Sequence, residues 1–306
     1  MMKRLASLLL AAIIGLGAAE SASGEYATRF EAAWRLVDER HWDPLERGLD
    51  WDAVRTEYEP QALAADDDEA FYRVLEAMYE EIGDDHSVFV PPARVAEIRE
   101  TYGDLPCLGV FGRQAGEVGA VAYELLDAHI GYIRVPDLVT SGTAAAIRQV
   151  VRELAASEPR GLVLDLRGNP GGRLIEMMQA AGVFTGGFLW RTITRWTLPL
   201  PYPAIGGVDT DLPLAILVDN DVHSAAEGLA GGLQSRGRAT IIGETTAGNV
   251  EAVLPFCFRD GSQAWIATGV LAPLTGATWE GRGVEPDIKV PADQALDAAI
   301  EYLTSP

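Results

Sequence analysis

The sequence predicts an α/β fold preceded by a helical subdomain, and three observations carry that reading. From Tyr26 to about Gly83, apolar residues recur at steps of three and four. After Val90-Pro-Pro92, short β-rich runs alternate with helical ones. No internal repeat or low-complexity linker interrupts the 306 residues, a length able to bury one large core or two.

Taken in order, Phe30, Trp34, Leu36 and Val37 form one apolar helix face, and Phe71, Val74, Leu75, Met78 and Tyr79 form another. Asp50-Trp-Asp-Ala-Val-Arg reads as a short capped helix, and residues 66–69 as the acidic entry to the next one. A further helix is expected over 93–102. Strands follow at 108–111, 118–125 and 130–135, then a helix over 143–156, a buried strand at 161–166 and a helix over 174–183. The strand 214–218 runs into a small-residue helix from Ser224, followed by strands at 240–242, 253–258 and 263–268. Such alternation favours a partly parallel sheet packed with helices. The organisation expected is a signal peptide over 1–24, a helical subdomain over 25–92 and an α/β core over 93–306.

The leader reading rests on Met1-Met-Lys-Arg, the apolar run from Leu5 to Leu16 and the small residues Gly17-Ala-Ala19, where cleavage is expected. The run falls short of the ~20 apolar residues that a membrane span needs. The expected localisation is therefore exported, periplasmic or secreted, with no membrane anchor after cleavage. A net charge of −21 argues against nucleic acid or anionic membrane surfaces as partners. Cys107 and Cys257 could form one disulfide or remain two buried thiols. No Cys-x-x-Cys or His-Glu-x-x-His spacing occurs, so neither a metal nor a cofactor is expected.

Ser224 is the residue with most chemical promise. It lies in Val-His-Ser-Ala-Ala-Glu (222–227), between an apolar strand and a helix, where the helix dipole stabilises negative charge. Ser224 and Glu227 also form Ser-x-x-Glu, the pattern of a capping box, so the serine is either a nucleophile or a cap. Upstream, the strand 161–166 runs into Arg167-Gly-Asn-Pro-Gly-Gly172. This glycine-rich strand-to-helix turn matches neither nucleotide fingerprint but could offer amides to an oxyanion. A nucleophilic serine needs a base. Past the leader the chain has one lysine, Lys289, and four histidines. His41 reads as an ordinary packed or surface residue, His129 precedes a strand, and His223 is too close in sequence to meet Ser224 well. His86 sits in the polar loop Gly83-Asp-Asp-His-Ser-Val-Phe89, from which a side chain can reach a cleft.

The ordered set Gly83-Asp-Asp-His86-Ser, Gly131-Tyr-Ile-Arg134, Asp165-Leu-Arg-Gly-Asn-Pro-Gly-Gly172, His223-Ser-Ala-Ala-Glu227, Gly243-Glu-Thr-Thr-Ala-Gly248 and Gly281-Arg-Gly-Val-Glu-Pro-Asp287 resembles the tail-specific (C-terminal-processing) serine peptidase family. That family includes the tricorn protease core and the interphotoreceptor retinoid-binding protein. The resemblance covers residues 26 to 303 and implies a ClpP/crotonase-like α/β core. It implies Ser224 as nucleophile and the Gly172 and Ala225 amides as the oxyanion hole. Where the processing branch has its lysine base, this chain has Asn249. The resemblance is thus to the tricorn-like branch, implying His86 as base and Glu280 as the residue that orients it. About 45 positions separate His86 from Gly131, so an intervening peptide-binding PDZ module of ~100 residues is not expected. The implied partner is a peptide or protein substrate; the alternative is a non-catalytic binder of an apolar ligand on the same fold.

Overall fold

The structure is a computed structural model and describes residues 24–43, 48–84, 86–102, 121–196 and 198–305. Residues 1–23 of the expected leader, the strand expected at 108–111 and Cys107 lie outside the described residues. Cys257 is disulfide-bonded. Among the described residues no helix is long and apolar enough to cross a membrane.

The chain divides into two compact units. The first holds helices α1 (24–40), α2 (Trp51–Leu63) and α3 (Asp68–Glu80), strand β1 (Val88–Val90), and the returning segment Val253–Thr268. Each helix start has a local cause. The Asp50 carboxylate accepts from the Ala53 amide at the head of α2 (3.0 Å), and Asp67 accepts from Ala70 at the head of α3 (2.8 Å). Phe30, Trp34 and Val37 bury the α1 stripe, and Phe71, Leu75, Met78 and Tyr79 the α3 stripe, as the periodicity predicts. Trp34 and Trp51 each donate an indole N–H to the other's carbonyl at 3.0 Å, locking α1 against α2. β1 pairs antiparallel with Gln263–Trp265, and Ala264 and Ile266 close this core.

The second unit is built on a six-stranded sheet in the order β11-β8-β7-β4-β3-β2: Ile288–Lys289, Thr240–Gly243, Leu214–Val218, Gly161–Asp165, Ile130–Arg134 and Ala122–Leu126. Every neighbouring pair is parallel except β2 with β3. Of the strand expected at 118–125, residues 118–120 lie outside the described residues and 122–125 fall on β2.

Alternation along the central strands splits their side chains between two faces. Leu162, Leu164, Leu214, Ile216 and Val218 pack with α5 (Thr143–Ala155), α6 (Leu174–Phe184) and α7 (Ser224–Ser235). Val163, Ala215 and Leu217 pack with Ala295, Ala299 and Leu303 of α8 (Ala295–Thr304). Burial on both faces explains why these strands read as continuous apolar runs. Gly231 and Gly232 bring the α7 backbone against the rings of Trp279 and Trp190. A hairpin of β5 (Phe188–Ile193) and β6 (Leu200–Pro203) also belongs to this unit, β5 pairing with the second half of β10 (Gln263–Pro273); β9 (Glu251–Cys257) and α4 (Pro92–Tyr102) complete the described elements.

Candidate active site

Three loops leave the C-terminal ends of the adjacent parallel strands β4, β7 and β8 in the second unit, the end of such sheets at which ligands bind. The first is the 166–173 turn, the second runs from Asp219 to Ser224, and the third is 244–250. Asn169, fully buried, joins the first two. Its side chain donates to the Val135 carbonyl (2.9 Å) and accepts from the Gly171 amide (2.8 Å), while its own carbonyl accepts from His223 (3.0 Å). Gly171 thereby sits against the serine: a Cβ there would lie 2.8 Å from Ser224 Cβ and 2.6 Å from the His223 carbonyl oxygen, and its φ is 86°. Only glycine meets both demands.

Ser224 is in the left-handed region at φ 50°, a conformation that costs a serine free energy and persists only where neighbours impose it. Glu227 supplies the restraint. Fully buried, it accepts from the amides of Ser224 (2.9 Å) and Asn249 (3.0 Å) on Oε2, and from the Gly248 amide (2.7 Å) and Thr246 hydroxyl (2.5 Å) on Oε1. The capping-box expectation is thus half met. Glu227 reaches back to the Ser224 amide, but His223 holds the N-cap position and Ser224 is the first helical residue. Among the described residues the serine Oγ has no hydrogen-bond partner, so the hydroxyl is not spent on capping.

Gly171 spends its amide on Asn169, but among the described residues the amides of Gly172 and Ala225 have no protein acceptor. Gly172 is held by a one-residue parallel bridge to Leu138, so close that a Cβ would stand 2.2 Å from the Leu138 carbonyl carbon. Ala225 follows the serine at the N-terminus of α7, where unpaired amides and the helix dipole favour an anion.

Asn249, in the third loop, accepts from the Ser224 amide (3.3 Å) and lies 3.1 Å from His223 Nδ1. Glu280 Oε2 accepts from the next amide, Val250, at 2.8 Å. Lys289 is at the exposed end of β11, paired with Glu285 at 3.3 Å.

His86 belongs to the first unit, in the bend before β1. Asp84 shapes that bend: its Oδ1 accepts from the amides of His86 (3.0 Å) and Ser87, and its Oδ2 from the Ser87 hydroxyl (2.8 Å), with His41 Nε2 at 3.0 Å. Burial alone would raise the Asp84 carboxyl; hydrogen bonds from His41, Ser87 and His86 outweigh it and hold the group at about 2. His41, read from sequence as an ordinary packed or surface residue, is fully buried against this carboxylate. His129 is in the β2–β3 turn at φ 57°.

Sequence reasoning missed what ties the motifs together. Asp165, at the end of β4, accepts from Tyr132 (2.6 Å), Arg134 (2.9 Å) and Arg167 (2.7 Å), fastening β3 to the glycine-rich turn. Burial opposes its charge, but the Arg167 and Tyr132 hydrogen bonds win and keep it below the usual carboxylate range. Two sequence motifs are therefore one network. The available signal was Tyr132 and Arg134, polar side chains at alternate positions of a strand whose neighbours Ile130 and Ile133 are buried.

The strained Ser224 and the two amides without an acceptor among the described residues lie together in the second unit, and comparison with known proteins gives the family of the chain. Residues 129–290 match the model of peptidase family S41, and residues 23–80 that of the tricorn protease C1 domain. The chain belongs to peptidase family S41, whose members are serine-type hydrolases. It is 30% identical over 228 residues to a carboxyl-terminal-processing protease of Synechocystis sp., covering 68% of this chain and 52% of that one. It is 29% identical over 187 residues to a carboxy-terminal-processing protease of Bartonella bacilliformis, covering 57% and 41%. The chain thus spans about half the length of the curated relatives it matches. Its fold is shared by a solved photosystem II D1 C-terminal processing protease, with TM-score 0.70, 22% identity and coverage of 92% and 97%.

Proposed function

We propose that this chain is a serine peptidase that cleaves peptide bonds by a Ser–His–Glu mechanism. The observation that carries the reading is the strained Ser224, its hydroxyl unspent, beside the two acceptor-free amides of Gly172 and Ala225. In the proposed reaction His86 takes the proton from Ser224 Oγ as that oxygen attacks the substrate carbonyl carbon. The tetrahedral oxyanion forms between the Gly172 and Ala225 amides, and His86 returns the proton to the leaving amine. Water then hydrolyses the acyl-enzyme by the same steps, and Glu280 orients the imidazole.

Support for His86 comes from its place in the Asp-x-His motif and from the positions of the alternatives. Lys289 is occupied at an exposed sheet edge, and Asn249 is where the processing branch has its lysine. Support for Glu280 is its bond to the Val250 amide, one residue from Asn249. The substrate class is peptide or protein, as the names of the relatives say of those proteins. We extend the proposal to export through the leader at residues 1–24, to a periplasmic or secreted location.

The test is labelling of the folded chain by a fluorophosphonate probe, alongside hydrolysis of a mixed peptide library. Labelling and cleavage that disappear in Ser224→Ala and fall by orders of magnitude in His86→Ala support the proposal. Undiminished cleavage by Ser224→Ala overturns it, and a folded wild type that neither labels nor cleaves is instead a binding protein.

A further inference from the structure

Given the serine peptidase reading on which this rests, we propose that Glu176 is a positioning residue: it clamps the 138–142 segment that aims the Gly172 amide at the oxyanion. The direction of the Gly172 N–H is set by the carbonyl of its own peptide group. In a trans peptide the C=O and N–H point opposite ways, and no peptide bond among the described residues is cis. The Gly171 carbonyl accepts from the Leu138 amide at 2.9 Å, so the Gly172 N–H points away from Leu138. A bond accepted at that carbonyl also polarises the N–H of the same peptide and makes it a stronger donor. Leu138 therefore governs both the aim and the strength of this amide.

Leu138 is itself held in a closed circuit. Its carbonyl accepts from the Arg173 amide at 2.9 Å, and the Val139 carbonyl accepts from Arg173 Nε at 2.9 Å. At the other end of the segment, the amides of Gly142 and Ala144 donate to the two carboxylate oxygens of Glu176, both at 2.8 Å. Gly142 lies four positions after Leu138, and Glu176 four after Gly172, so the two arms are cross-linked at both ends and neither can slip along the other. Asp137 stiffens the first arm, its Oδ1 accepting from the amides of Val139 (2.9 Å) and Thr140 (2.8 Å).

The need for the second link is local. Gly142, the N-cap of α5 at φ 94°, has no side chain with which to cap that helix. Glu176 does so from the first turn of α6, where the α5 dipole favours a carboxylate. It is 5% exposed, and its partners are main-chain amides rather than a basic side chain. Burying a carboxylate costs free energy that an apolar residue at the α5–α6 contact would not, so packing alone does not call for it.

The test compares wild type with Glu176→Gln and with Glu176→Met, which fills similar space but offers no carboxylate. Two quantities are measured where each protein is folded: the maximal rate of fluorophosphonate labelling, separated from the binding constant of the probe, and the exchange of individual amides by nuclear magnetic resonance. Both variants should lose at least ~tenfold in maximal labelling rate with the binding constant unchanged, a part of the factor of about 100–1,000 that an oxyanion donor supplies. Exchange of the Leu138 and Arg173 amides should quicken at least ~tenfold. Val150→Ala, which removes buried packing from α5, should lower the melting temperature yet label at the wild-type rate. Folded Glu176 variants that label like wild type overturn the proposal, as does unchanged exchange at Leu138 and Arg173. It is overturned equally if Val150→Ala loses as much labelling as they do, which makes Glu176 a packing residue. A wild type that neither labels nor cleaves peptides overturns the peptidase reading itself, and the role of Glu176 in the reaction with it.

Discussion

The amide of Ser224 donates to Glu227 Oε2 at 2.9 Å, and the same carboxylate gathers three more donors from residues 246–249. One buried side chain therefore sets both the conformation of the serine and the path of the loop beside it. Glu227→Gln keeps the shape but turns an NH2 toward one pair of these donors. Leaving buried donors unsatisfied costs about 1–3 kcal/mol. The variant should lose about 2 kcal/mol of stability by chemical denaturation, and its fluorophosphonate labelling rate should drop at least ~tenfold. Wild-type labelling in this variant would show that Glu227 does not hold the serine.

Gly171 provides an independent test of the same geometry. A methyl group there meets Ser224 Cβ at 2.8 Å and the Ala225 amide nitrogen at 2.9 Å, on backbone at φ 86°. Both contacts are too close for real atoms, and the backbone on each side is held, so Gly171→Ala must displace the serine or the turn. Labelling should fall by ~100-fold or more, comparable to losing an oxyanion donor. Gly186→Ala, at a position with open space around its Cα, is the control and should label normally.

How much could be read before the structure differs by region. The β4 and β7 strands, the glycine-rich turn and the helix after Ser224 were legible because local patterning determines them. The position of Ser224 on α7 was not, since a Ser-x-x-Glu pattern looks the same whether the serine or the preceding His223 is the N-cap. Nor was the inclusion of Val253–Thr268 in the first unit legible, because pairing of Val88–Val90 with Gln263–Trp265 joins segments far apart in the chain. Asp165 and Asn169 were visible as motif letters, but their partners lie on other strands and loops.

The Asp84 carboxylate gives the protein an acid-sensitive contact in the first unit. Its side chain is fully buried, and its pKa of about 2 lies below the ~3.9 of an unfolded aspartate. The stability it contributes is complete above about pH 4 and is lost as the pH falls toward 2. Over that window wild type should lose roughly 2 kcal/mol that Asp84→Asn, already lacking the ionised form, does not. Denaturant unfolding at a series of pH values reads this directly; parallel curves for the two proteins below pH 4 would rule the assignment out.

The left-handed backbone at Ser224 predicts a conflict between stability and reactivity. A residue with a Cβ bears about 1 kcal/mol at such φ, whereas glycine bears little. Ser224→Ala and Ser224→Gly both remove the hydroxyl, so both should abolish labelling. They should nevertheless differ in stability, since alanine retains the Cβ and glycine relieves the strain. Glycine's greater freedom in the unfolded chain offsets part of the gain. Ser224→Gly is therefore expected to exceed Ser224→Ala by about 0.5–1 kcal/mol, a rise in melting temperature of ~2 °C for a unit of this size. Equal melting temperatures, or a less stable glycine variant, would mean that the backbone at 224 is relaxed and that Glu227 is not imposing strain on it.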